Sequence, residues 1–131
     1  MKKLFSLILG AFLVVITSGQ EVAPTVFANW KDRVDPSVDR GLNYLVRSQL
    51  NDGSYPGSYG NSCGIPALAG MAFLSRGHLP TEGPYADSLN KIIDFLIGRQ
   101  NREGLYTGGQ YGSGPMYGHN IATLFLSEVS G

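Results

Sequence analysis

Few side chains in this sequence are of types that carry out chemistry, and their spacing narrows the options further. There is one cysteine, Cys63, and there are two histidines, His78 and His119. As a thiolate, Cys63 is a nucleophile or a metal ligand. Set before Gly64-Ile65-Pro66, it reads first as a small buried apolar residue. His119 follows Met116-Tyr117-Gly118 at the start of an apolar periodic stretch. A neutral imidazole beside the Tyr117 phenol binds a polar ligand or transfers a proton; the plainer alternative is a helix-start residue bonded to backbone. His78 follows Gly77 and reads as surface. One thiol and two imidazoles fall short of a zinc ligand set, so neither metal nor cofactor is expected. Asp35 and Asp39 have ordinary helix-surface spacing. Tyr59, Tyr111 and Tyr117 have the apolar body and polar tip that suit a cavity wall or a core cover. The glycines do not lie between a strand and a helix, so no phosphate-binding loop is read. Cys63, Tyr117 and His119 are the candidate catalytic residues. No complete catalytic set accompanies them, which leaves the question of an enzyme open.

The elements that must position these residues are helical. Asp35 and Pro36 suit a helix start, and Val38, Leu42, Leu45 and Val46 then recur on one face. A second stretch from Pro66 to Ser75 is apolar almost all round, with Gly77 placed as its left-handed stop. A third carries Leu89, Ile92, Ile93 and Leu96, and a fourth carries Ile121, Leu124, Phe125 and Val129. The expectation is an all-α fold with helices over 36–50, 65–76, 85–100 and 117–130. No segment shows strand alternation.

The N-terminus has a different character. Lys2 and Lys3 precede an apolar segment, Leu4 to Ile16, followed by Thr17-Ser18-Gly19. This is the layout of a secretory signal peptide over residues 1–19, and the segment is shorter than the roughly 18 residues that span a bilayer. Export to a periplasmic or extracellular location follows as an expectation; the alternative is an anchor that is not cleaved. Residues 20–34 read as a linker. Without Lys2 and Lys3 the ten acidic groups outnumber the basic ones, which gives no reason to expect nucleic acid or, after signal cleavage, a membrane as partner. A lone cysteine excludes an internal disulfide, so the domain relies on buried apolar surface.

The sequence also matches itself. Arg40 to Tyr55 can be laid on Lys91 to Tyr106, 51 positions later: Tyr44 falls on Phe95, Leu45 on Leu96, Gln49 on Gln100, Gly53 on Gly104 and Tyr55 on Tyr106. Beyond a glycine-rich stretch, Phe73-Leu74-Ser75 recurs 52 positions on as Phe125-Leu126-Ser127. Two repeats, 35–80 and 84–131, are therefore expected, each a pair of helices.

Each copy resembles the QW motif of the squalene cyclase and protein prenyltransferase superfamily: a basic residue, a small residue, an aromatic, a leucine, Gln, a spacer, Gly, any residue and Trp. Here that reads Arg40, Gly41, Tyr44, Leu45, Gln49, Gly53 and Tyr55. In the second copy it reads Lys91, Phe95, Leu96, Gln100, Gly104 and Tyr106. Tyr replaces Trp in both, and Ile92 replaces the small residue in the second. The resemblance covers about residues 35–131 and extends to bacterial prenyltransferase/squalene oxidase repeat proteins. It implies two helix hairpins of an incomplete α/α toroid, with Gln bonding helix-end carbonyls and the aromatic packing onto the next helix pair. Two hairpins do not close a ring, so the expectation is a fragment, or a chain that self-associates through faces meant for missing repeats. The family's Asp-x-Asp-Asp acid is absent, as are the Asp-x-Cys of a zinc-dependent prenyltransferase and the Cys-Gly-Glu-Gln of a thioester toroid. The resemblance therefore implies a non-catalytic scaffold or binding module; the alternative is part of an isoprenoid cyclase or transferase whose catalytic residues lie elsewhere. A carbohydrate-active toroid stays open too.

Overall fold

The first helix is already formed at Pro24, the first described residue, and Pro36 lies inside it. The computed structural model describes residues 24–57, 62–107 and 115–131, with residues 24–30 and Pro115 described by backbone alone. The signal segment expected over 1–19 lies outside the described residues. Helix α1 runs Pro24–Ser48, α2 Gly64–Ser75, α3 Ala86–Ile97 and α4 Pro115–Ser130. Among the described residues there is no strand, only two isolated bridges, Leu79 with Glu82 and Gln100 with Tyr106. The all-α expectation holds. No described helix is long and apolar enough to cross a membrane. Internal contacts divide the chain into two units, Met1–Val34 and Asp35–Gly131.

The cap expected at Asp35 is corrected by α1, and residues 24–34, within the stretch read as a linker, are helical. Residues 24–34 contain no glycine to interrupt the helix. Pro36 is accommodated inside the helix, where it removes one backbone hydrogen bond. Asp35 does not cap. Its carboxylate takes the Arg76 guanidinium just beyond α2 at 3.0 Å, with Asp39 at 3.6 Å from the same group. That bridge ties the first helix to the end of the second.

Backbone hydrogen bonds close the chain after α1, α2 and α3. Gly77 takes φ +82°, its N–H donates to the Leu74 carbonyl at 2.8 Å, and the His78 N–H donates to the Phe73 carbonyl at 3.1 Å. This paired bond with a left-handed glycine stops α2 where the sequence reading placed the stop. After α1, the Gly53 N–H donates to the Leu50 carbonyl at 3.0 Å and the Leu50 N–H to the Ser54 carbonyl at 2.8 Å. The same two bonds recur 51 positions on, from Gly104 to Asn101 at 3.0 Å and from Asn101 to Leu105 at 2.9 Å. Gly53 and Gly104 have φ of +88° and +87°. Gln49 Nε2 lies 3.4 Å from the Gly53 carbonyl, and Gln100 Nε2 donates to the Gly104 carbonyl at 3.0 Å. The two glutamines therefore hold turn carbonyls rather than the helix-end carbonyls expected. Gln49 reaches further, to the Ser88 carbonyl in the first turn of α3 at 3.0 Å.

The core is built on α2, which packs closely against α4 and also against α3. Phe73, Leu89, Ile92, Leu96 and Phe125 are fully buried, joined by Leu42 from α1. Glycines set the distance between α2 and α4. A Cβ on Gly64 would lie 3.5 Å from the Gly118 Cα, and a Cβ on Gly70 would collide with the Phe125 ring. Residues 64 and 70 thus meet 118 and 125 in the same order, so the two helices run parallel. Parallel neighbours cannot be joined by a short turn, and α3 carries the chain back between them. The outward side of α4 is less apolar than its composition suggests. Asn120, Thr123, Ser127 and Glu128 are exposed there beside Met116, Tyr117 and Leu124.

Candidate functional site

The three candidate residues all lie where α2 and α4 begin, and the Tyr106–Thr107 backbone runs between two of them. Cys63 immediately precedes α2 and is fully buried. Its thiol points at the Thr107 carbonyl, 3.6 Å away. Burial pushes the thiol pKa up, and the opposing pull of Arg99 is smaller. A reactive cysteine needs the reverse, an accessible thiol in a setting that favours the thiolate. Cys63 behaves here as a small core residue with one weak hydrogen bond.

His119 lies one turn into α4, partly buried. Its Nδ1 accepts the Tyr106 N–H at 3.3 Å, and its ring stacks on the Tyr106 ring at 5.7 Å between centroids and 25° between planes. The expected partnership with Tyr117 does not form. Residues two apart on a helix point to different sides. Tyr117 instead leans on Gly64, with Cδ1 3.7 Å from where a Cβ would stand there, and stays about half exposed. Cys63 and His119 have no hydrogen bond to each other. Each grips an adjacent residue of the same turn, one by its carbonyl and one by its amide. A nucleophile and its base must be within direct hydrogen-bond reach, and this pair is occupied otherwise.

Other sequence candidates fall elsewhere. Tyr59 and Tyr111 lie outside the described residues. His78, expected as plain surface, is partly covered because its ring meets the Tyr85 ring edge-on at 4.5 Å, with Phe73 behind at 5.1 Å from Tyr85. Among the described residues no group of three or more His, Cys, Asp or Glu is placed to hold a metal ion. Tyr55 and Tyr106, equivalent in sequence, differ in setting. Tyr55 is buried and its hydroxyl has no partner among the described residues; burial pushes its pKa up to about 12. Tyr106 is only partly buried and carries the histidine. The sequence reading missed the Tyr106 amide and the Thr107 carbonyl as partners because backbone atoms have no residue-type signature.

A simple labelling experiment tests the setting of Cys63. An aromatic disulfide reagent will react with it at least about a hundredfold more slowly in the native protein than in denaturant, because the thiol is enclosed and its thiolate disfavoured. Equal rates would show that the start of α2 opens freely.

The arrangement described is a clasp: a thiol and an imidazole hold the turn after α3 beside the parallel helices α2 and α4. Comparison with protein-family models, with curated proteins and with solved structures found no match to this chain.

Proposed function

We propose that this chain is an exported, non-catalytic scaffold or binding module, made of repeats of the squalene cyclase and protein prenyltransferase kind and set as neighbours in an α/α toroid. One observation carries the reading. The turns that follow α1 and α3 repeat the same glutamine, glycine and backbone hydrogen bonds 51 positions apart, and the helices that follow them lie side by side and parallel. Successive units of a helical repeat stack in this manner, each burying the face that its neighbour cannot bury alone. The Lys2-Lys3 segment with its apolar run supports export.

The binding side is the outward face of the parallel pair. Tyr117 lies against Gly64, Leu68 is one turn on from Gly64, and Leu124 is two turns on from Tyr117. These three are 53%, 46% and 51% exposed, with Ile65 and Met116 nearby. A side of this kind fits self-association or further repeats.

Two measurements on the purified protein test this. Light scattering will show concentration-dependent oligomers, and the Leu68→Asp/Leu124→Asp variant will remain monomeric with unchanged helical circular dichroism. A monodisperse parent protein removes the apolar side from the proposal. Incubation with squalene and with prenyl diphosphates will give no product; turnover would replace the scaffold with an isoprenoid cyclase or transferase.

A further inference from the structure

We propose that His119 is a proton-controlled latch on the turn of the second hairpin: when its imidazole takes up a proton, it releases the Tyr106 amide and the ring stacked beside it. The inference goes beyond the scaffold reading and does not depend on it.

The geometry fixes the protonation state. A backbone N–H only donates, so the ring nitrogen facing Tyr106 at 3.3 Å is an acceptor. Only neutral imidazole with its proton on Nε2 supplies that acceptor. In the charged form both nitrogens carry hydrogen, and Nδ1–H would then point at the Tyr106 N–H. The attraction becomes a donor–donor conflict. Between about pH 8 and about pH 5 a histidine is the side chain that ordinarily changes charge.

Among the described residues no carboxylate bonds or pairs with His119 to hold the charged form in place. The turn carries Arg102, which is exposed, and Glu103, whose carboxylate takes the Asn101 Nδ2 at 3.2 Å. Tyr106 presents a phenol. At the start of α2 stands the Cys63 thiol, and no residue from Gly64 to Ser75 ionises. Beyond the end of α3 is Arg99, a fixed cation whose guanidinium lies over the Phe95 ring at 4.8 Å. Within α4 the only charged residue is Glu128, more than two turns beyond His119.

The latch is local because the base of the turn is held separately. The Thr107 N–H donates to the Arg99 carbonyl at 3.1 Å, and the Thr107 carbonyl accepts from Cys63. Protonation therefore frees Tyr106, which packs on the core, without opening the hairpin. The first hairpin lacks the device. The residue 52 positions before His119 is Ala67, fully buried, and the equivalent Tyr55 is itself buried.

Nuclear magnetic resonance on the full chain tests this. At neutral pH the nitrogen shifts of His119 will report a bare Nδ1 and a protonated Nε2. As pH falls, protection of the Tyr106 amide from hydrogen exchange, corrected for intrinsic exchange, will drop on the order of tenfold, as befits one lost hydrogen bond. The drop will track the His119 titration, while the Gly53 amide, bonded within the other turn, stays protected. In His119→Gln, whose carbonyl accepts but does not titrate, Tyr106 protection will be independent of pH. A proton on Nδ1 at neutral pH, a His119 that stays neutral to about pH 4, or protection unchanged through its titration overturns the latch. So does the same acid loss in His119→Gln. Should that variant not fold, the shifts and pH series of the parent protein decide alone.

Discussion

Phe125→Ala will destabilise the protein by about 3–5 kcal/mol, the usual cost of emptying a fully buried phenylalanine site. The ring is 0% exposed and fills the space over Gly70, where a Cβ would collide with it. The reciprocal substitution, Gly70→Ala, inserts a methyl into that filled space and will cost about 1–3 kcal/mol. The pair then makes a sharper statement than either change alone. Once Phe125 is alanine, the methyl at position 70 enters vacated space, and its cost will fall close to zero. Denaturant unfolding of the two single variants and the double variant measures the coupling. Additive losses would mean that α2 and α4 do not interlock at this point, and the parallel packing would lose its main anchor.

The second large effect separates two glycines that the sequence treats as equals. Gly53 and Gly104 occupy the same place in the repeated motif, and both have φ near +88°. An L-residue there costs about 1–2 kcal/mol in backbone strain, and Gly104→Ala will cost about that much, since a Cβ at Gly104 meets only the tip of Gln100, 4.0 Å away. At Gly53 the first turn presses onto α3, and a Cβ would collide with the Lys91 carbonyl. A backbone carbonyl inside a helix does not step aside as a side chain does. Gly53→Ala will therefore cost about 3 kcal/mol or more, combining strain with overpacking. Thermal and denaturant unfolding of the two variants side by side will show the gap. Equal losses would mean that the turn does not rest on α3.

Most of the architecture was legible because its signals are local. The stop of α2 depends on Gly77, and the core faces of α1 and α3 follow from spacing in Val38, Leu42, Leu89, Ile92 and Leu96. The start of α1 was misread because Asp35-Pro36 has the form of a helix start. Nothing in the sequence shows that the helix is already running before that pair, or that Asp35 is engaged by Arg76, 41 positions away. The candidate residues were half legible. The burial of Cys63 follows from its small apolar neighbours, whereas the partner of His119 is an amide on another segment, which no side-chain pattern announces. Tyr117 was linked to His119 by nearness in sequence, and helical geometry turns the two apart. The two turns share residues visible in the sequence, but their bonds were not visible there, since Gln49 reaches across to Ser88 as well as back to its own turn.

The parallel pairing of α2 with α4 also orders the events of folding. Gly64 meets Gly118 and Gly70 meets Phe125 across more than fifty positions of chain. Each turn, by contrast, closes over a handful of residues. Bringing distant segments together costs chain entropy before any contact offsets it, so pairings that span a long stretch form late and slow the search. The turns are the early units, and α3 must be laid down before α4 finds α2. The glycines at 64, 70 and 118 bring nothing to the chain until that last step, when the absence of their side chains lets two finished helices close on each other.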